Sequence, residues 1–133
     1  MVYRMPLKVA FKTIGCKVNQ YETGNLRQAF LKNGYIENNF KEKADIYIIN
    51  TCAVTNEAER KSKQMIRKAA RQNPSSIVIV IGCGVEANLP GLKDLNIPNY
   101  HIISNYYKDS IFQIFKDIKK NIRNNTIYYK PAS

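Results

Sequence analysis

Three short apolar runs of β-type composition, each leading to a cysteine, constrain this chain more than any other feature. The runs are Leu7 to Phe11, Ala44 to Ile49 and Ile77 to Ile81. The cysteines follow in Thr13-Ile14-Gly15-Cys16, Asn50-Thr51-Cys52 and Ile81-Gly82-Cys83. Cys16, Cys52 and Cys83 are 36 and 31 residues apart, about one strand plus one helix each time. As parallel neighbours in one sheet, the three runs would bring three thiols to a single edge. Open α/β sheets bind their ligands at that edge.

The intervening sequence alternates accordingly. The first strand is expected over Leu7 to Ile14. A helix is expected from about Asn19, where Asn19 and Glu22 have capping-box spacing; Leu26, Ala29 and Phe30 follow helical periodicity and Gly34 is a terminator. Ala44 to Asn50 reads as the second strand. The strongest helix spans about Glu57 to Gln72, entered through Thr55-Asn56 and closed by Asn73-Pro74. Its Ala58, Met65, Ile66 and Ala69 share one face, and Arg60, Lys61, Lys63, Arg67, Lys68 and Arg71 cover the other. Ile77 to Ile81 is β-branched throughout, as in a strand covered on both faces.

Asn88 to Asn99, with Pro90, Gly91 and Pro98, reads as loop with at most one helical turn. A short strand at His101 to Ser104 precedes a last helix, about Tyr107 to Ile122, that buries Ile111, Ile114, Phe115, Ile118 and Ile122. The expected fold is α/β, a three-layer α/β/α sandwich with a mostly parallel sheet of about four strands. Residues 1–122 would form the domain and 123–133 a tail or linker.

The chain of 133 residues carries 21 Lys+Arg against 10 Asp+Glu, a formal net charge of +11. That balance reads as a solvated basic surface or as the footprint of a polyanion, nucleic acid foremost. A membrane surface fits less well, because no helix pairs a basic face with large exposed aromatics. The N-terminal Met1 to Pro6 has no apolar signal core, and no stretch approaches the ~18–20 apolar residues of a membrane span. Three cysteines cannot all pair in disulfides, so a reducing cytoplasm is expected.

A lone cysteine at a strand end is usually a small apolar residue, and each thiol here has that reading. Their equivalent positions in successive units argue for a common site. Gly15 and Gly82 permit close backbone approach, while Asn50, Thr51 and Asn56 offer hydrogen bonds to bound sulfur. Helices starting after the cysteines would favour thiolate. Zinc fits poorly, because no two cysteines are close and the only histidine, His101, is on another strand. Soft thiolate ligation suits an iron–sulfur cluster, and three thiolates on a cubane leave one iron open. No Walker loop, dinucleotide fingerprint or Ser-His-Asp set is present, and no catalytic residue is assigned.

Thr13 to Glu22 (Thr-Ile-Gly-Cys-Lys-Val-Asn-Gln-Tyr-Glu), Ile49 to Thr55 (Ile-Asn-Thr-Cys-Ala-Val-Thr) and Ile81-Gly82-Cys83 together resemble the N-terminal domain of the radical-SAM tRNA methylthiotransferases. The resemblance covers about Leu7 to Lys120. The Cys-Lys-Val-Asn-Gln-Tyr-Glu wording is most similar to the branch acting on N6-threonylcarbamoyladenosine. It implies that Cys16, Cys52 and Cys83 bind an auxiliary [4Fe–4S] cluster, with Lys17, Asn19, Asn50, Thr51 and Asn56 around it. It also implies a second [4Fe–4S] cluster in a following domain. There S-adenosylmethionine would supply the radical that opens C2 of the adenine beside the anticodon to methylthiolation.

The Cys-x3-Cys-x2-Cys motif for that second cluster is absent, as are the radical-SAM and C-terminal RNA-binding domains. The chain is therefore expected to be a piece of a longer enzyme or a shortened product, inactive alone. After the third cysteine stands Gly84-Val85-Glu86, where the family usually has an aromatic or Ala and then Gln. Among the helix cations, Arg60, Lys63, Arg67 and Arg71 are candidate tRNA contacts through phosphate. The competing readings are a non-catalytic basic tRNA-binding module with incidental cysteines and a structural α/β domain with free thiols.

Overall fold

A computed structural model describes residues 7–14, 17–51, 56–82, 85, 91–92, 95, 97–104, 110–120 and 126–128. The elements run β1 (Lys8–Ile14), α1 (Lys17–Lys32), β2 (Ile36–Glu37), β3 (Ile46–Thr51), α2 (Asn56–Gln72), β4 (Ile77–Ile81), β5 (Tyr100–Ile103), α3 (Ile111–Lys120) and β6 (Thr126–Tyr128). One sheet holds all six strands in the order β2-β1-β3-β4-β5-β6. Every pairing is parallel.

The α/β sandwich expected from sequence is present, with the helices on both faces of the sheet. Alternate residues of the fully buried β3 and β4 point to opposite layers. Ile46, Ile48, Ile77, Ile79 and Ile81 pack with Leu26 and Phe30 of α1 and Ile111, Ile114, Phe115 and Ile118 of α3. Tyr47, Ile49, Val78 and Val80 pack with Ile66 and Ala69 of α2. Val85, Leu92 and Ile97 from the β4–β5 connection complete this second layer. The Tyr100 hydroxyl donates to the Leu92 carbonyl at 2.8 Å, tying that connection to the sheet, and burial pushes the phenol pKa up.

Two strands beyond the expected four come from segments too short to show a period. β2 has two residues and β6 three, and both gain strand geometry by pairing with a neighbour. β6 lies in the stretch read from sequence as tail. α1 begins at Lys17, so Asn19 lies inside the first turn and not at the N-cap with Glu22 as its box partner. α3 is described over Ile111–Lys120, within the expected helix; Tyr107 and the expected contribution of Ile122 lie outside the described residues.

The end of α1 is local chemistry. Gly34 takes φ +89°, its N–H donates to the Leu31 carbonyl, and the Tyr35 N–H donates to the Phe30 carbonyl at 3.1 Å. That is the Schellman arrangement. It carries its hydrophobic partner too, with the Tyr35 and Phe30 rings 5.2 Å apart. No helix among the described residues is long and apolar enough to cross a membrane.

Candidate functional site at the carboxyl edge of the sheet

The register of the central strands decides where the cysteine motifs lie. Ile14, the last residue of β1, stands opposite Thr51, the last of β3. Asn50 stands opposite Ile81, the last of β4. The strands that lead to Cys16, Cys52 and Cys83 are therefore three consecutive parallel neighbours ending level at one edge. Neighbouring strands are about 4.8 Å apart, so the three strand ends span roughly 10 Å. The cysteines themselves lie outside the described residues.

The strand order adds a second reason to look here. From β1 the chain places β2 on one side and then returns to place β3 on the other, so the order reverses between β1 and β3. Crevices at such reversals are the usual ligand sites of open α/β sheets. The first two cysteine motifs follow the two strands that border this crevice. α1 opens one residue after Cys16 and α2 four residues after Cys52. Both helices thus direct their positive ends to the edge.

Below the edge lies a buried polar floor. The Thr13 hydroxyl donates to Thr23 Oγ1 at 2.9 Å, and Asn50 Nδ2 donates to the same oxygen at 3.1 Å. The Ser62 hydroxyl donates to Thr51 Oγ1 at 2.9 Å. Asn50, Thr51, Thr23 and Ser62 are all buried. These bonds link β1, α1, β3 and α2 beneath the ends of β1 and β3, where they fix the backbone that leads into the first two cysteine motifs. Gly82 belongs to the same arrangement. Its φ is +105°, and a Cβ there would collide with the Thr51 carbonyl and the Asn50 side chain. Only glycine lets β4 pass this close to β3 on its way to Cys83.

The candidates from sequence separate on this geometry. Asn50 and Thr51 are at the edge, with side chains engaged in the floor. Lys17 and Asn19 belong to the first turn of α1, and Asn56 opens α2 at the same edge with its side chain exposed. The four α2 cations run away from the edge. At 1.5 Å per residue, Arg71 lies about 16 Å further along the helix than Arg60. Arg60 pairs with Glu57 at 2.6 Å and Lys63 with Glu59 at 2.9 Å. The Lys63–Glu59 pair lies against Gly91, where a Cβ would strike the Glu59 carboxylate. Arg67 and Arg71 are exposed.

Thr13, Thr23 and Ser62 were not foreseen. For Thr23 and Ser62 the signal was a small hydroxyl residue within an otherwise apolar helix stripe, which periodicity alone treats as noise. His101 is buried on β5, which leads to no cysteine, and pairs with Ile79 in the middle of the neighbouring β4, below the edge. Its burial lowers the imidazole pKa to about 4, so it is neutral at pH 7.

The donor set suits a soft metal centre. Among the described residues no three His, Asp, Glu or Cys side chains gather to hold an ion. The strands that end at this edge instead lead into three cysteine motifs, beside the N-termini of α1 and α2. Thiolate sulfur at positive helix ends matches an iron–sulfur cluster better than a hard cation.

Residues 8–103 match the uncharacterized protein family UPF0004. Among curated relatives, a threonylcarbamoyladenosine tRNA methylthiotransferase MtaB from Bacillus subtilis (strain 168) is 53% identical over 75 residues, which is 56% of this chain and 17% of the relative. The MtaB of Aquifex aeolicus (strain VF5) is 38% identical over 114 residues, 84% of this chain and 27% of the relative. A tRNA-2-methylthio-N(6)-dimethylallyladenosine synthase from Thermodesulfovibrio yellowstonii is 33% identical over 130 residues, 87% of this chain and 30% of the relative. The chain thus spans between about a sixth and a third of the length of these relatives.

Proposed function

The chain belongs to family UPF0004, the N-terminal domain of tRNA methylthiotransferases, and from this we propose that it is the auxiliary-cluster domain of such an enzyme. The substrate would be N6-threonylcarbamoyladenosine beside the anticodon, as the names of its more similar relatives suggest. The observation that carries the reading is the level, parallel ending of β1, β3 and β4, each leading into one cysteine motif.

In this proposal Cys16, Cys52 and Cys83 hold a [4Fe–4S] cluster by three thiolates. When bound, the cluster supplies an iron site open to the sulfur that is to be transferred. The chain's own contribution is positional. The Thr13–Thr23–Asn50 and Ser62–Thr51 hydrogen bonds hold the strand ends, and Gly82 lets the third motif approach the second. The N-termini of α1 and α2 favour the anionic form of the thiols. Lys17, Asn19 and Asn56, which belong to the first turns of those helices, are the proposed surroundings of the cluster. The exposed Arg67 and Arg71 on α2 are candidate phosphate contacts. Hydrogen abstraction from the adenine, S-adenosylmethionine and its own [4Fe–4S] cluster would belong to the remainder of a full-length enzyme, and this domain by itself would not carry out the transfer. A tRNA substrate goes with a cytoplasmic location.

The test is anaerobic reconstitution with iron and sulfide, read by iron content and visible absorption, beside single Cys16→Ala, Cys52→Ala and Cys83→Ala variants. Iron at about four per chain, lost in each variant, is the expected outcome. A folded chain without bound iron would overturn the cluster and leave a basic RNA-binding module with incidental cysteines.

A further inference from the structure

Lys12 is out of place by the logic of its own strand. It sits in β1 between Ala10 and Ile14, both part of the core beneath α2, and pairs in register with the fully buried Ile49. A cation at such a position has to reach out along the sheet face to solvent. It emerges into a groove of about 370 Å³ between β1, the segment after β2, and α2, shared with Lys41, Lys68, Phe40 and Met65. Among the described residues, none of Lys12, Lys41 and Lys68 is in an ion pair.

The surroundings keep the groove positive. Glu37, the acidic residue in its wall, is held by Arg27 at 2.8 Å. Arg27 is further committed to the face of Phe11, 5.2 Å from the ring centroid. The segment that carries Lys41 is fixed by a turn in which Asn39 Oδ1 accepts the Lys41 N–H at 2.9 Å and the Asn39 carbonyl accepts the Glu42 N–H. Asn38 is fixed from both sides, its N–H on the Val9 carbonyl and its side-chain amide on the Lys43 carbonyl. Three ammonium groups are thus delivered to one groove from three elements.

We infer that this groove binds the phosphate backbone of the RNA substrate. Ammonium groups act as point charges, suited to phosphate oxygens, whereas planar carboxylates are better met by the arginine fork. The groove offers three lysines, and its one neighbouring arginine is already engaged. Lys12 lies only two residues from the end of β1, about 7 Å from the edge of the cysteine motifs. A backbone held at Lys12 passes beside the proposed reaction site and continues down the groove toward Lys68, in the last part of α2. The inference rests on the tRNA reading above and specifies which surface carries the RNA.

The test uses the 133-residue chain and a fluorescein-labelled anticodon stem-loop, with anisotropy measured across a salt series. One variant carries Lys12→Met, Lys41→Gln and Lys68→Gln. A charge-matched control carries Lys32→Gln, Lys116→Gln and Lys119→Gln on the α1/α3 side. Circular dichroism melting checks that each variant is folded, and Lys41→Gln with Lys68→Gln alone serves if Lys12→Met disturbs β1. The expected result is at least tenfold weaker binding in the groove variant. The slope of log K against log salt should also fall by about two to three, and the control should change neither by more than a third as much. Equal losses in both variants would mean that net charge, not the groove, binds RNA. Unchanged binding in the groove variant would overturn the groove and leave the tRNA reading standing. Failure of the wild-type chain to bind the stem-loop would overturn the groove, while the cluster-domain reading stands or falls on its own iron test. Tighter, groove-dependent binding of a labelled poly-glutamate peptide would make the occupant an acidic protein segment.

Discussion

Gly82 shows how much one residue can decide at this edge. Two independent constraints meet there, a left-handed φ and the space taken by the Thr51 carbonyl and the Asn50 side chain. Gly82→Ala meets a backbone oxygen that cannot move without disturbing β3, so strain and overpacking add to roughly 2–5 kcal/mol. Urea unfolding should show that loss, and iron uptake should fall with it. A variant with wild-type stability and full iron would mean the approach of β4 to β3 is not needed. His101 makes a prediction of another kind. Its imidazole pKa is about 4 when folded, against about 6.5 in an unfolded chain. The unfolded state therefore takes up the proton first as pH falls. The stability contribution is complete above pH ~6.5 and is lost progressively down to pH ~4, by about 3 kcal/mol in all. His101→Gln should lose less stability than wild type between pH 7 and pH 4.5. Equal losses in both chains would acquit the histidine.

At the scale of elements, what could be read in advance was what local sequence determines. Ile77 to Ile81 matches β4 to the residue, because a five-residue, wholly β-branched run between Ser76 and Gly82 is too short for a helix and has strand composition. α2 was also plain, its buried Ala58, Ile66 and Ala69 falling on the expected stripe. β2 and β6 were invisible, because two or three residues become strand only when a neighbour supplies the hydrogen bonds. The start of α1 was misplaced for a related reason, since Asn19 and Glu22 have capping-box spacing but the helix already begins at Lys17. Its end was legible because a Schellman motif is local. Gly34→Ala tests this cleanly: φ is +89° and nothing lies within 4 Å of the new Cβ, so only backbone strain is added. A loss of about 1 kcal/mol is expected in urea unfolding. Ser62→Ala should cost about 1–2 kcal/mol by removing a buried hydrogen bond to Thr51. A neutral result for Ser62→Ala would take α2 out of the polar floor.

At the scale of the molecule, the cysteine spacing predicted three equivalent strand ends, but not which strands are neighbours. That depended on the crossover after β2, which puts β3 on the other side of β1 and makes the three cysteine-bearing strands contiguous. The sheet is built outward from these strands. β3 and β4 are buried throughout and lie between other strands, whereas β2 is an exposed two-residue edge. Local opening free energy should follow that gradient. Amide hydrogen exchange should be slowest in β3 and β4, intermediate in β1 and β5, and fastest in β2. A Cys16→Ala, Cys52→Ala, Cys83→Ala triple variant should keep that order and the slow β3–β4 rates, because both hydrophobic layers are assembled from other residues. Retained protection with no bound iron would show that the sheet edge is a preformed scaffold and the thiols a site placed on it. A collapse of β3–β4 protection in the same variant would mean instead that the thiols are part of what folds the sheet, and the cluster reading would lose its separation between fold and site.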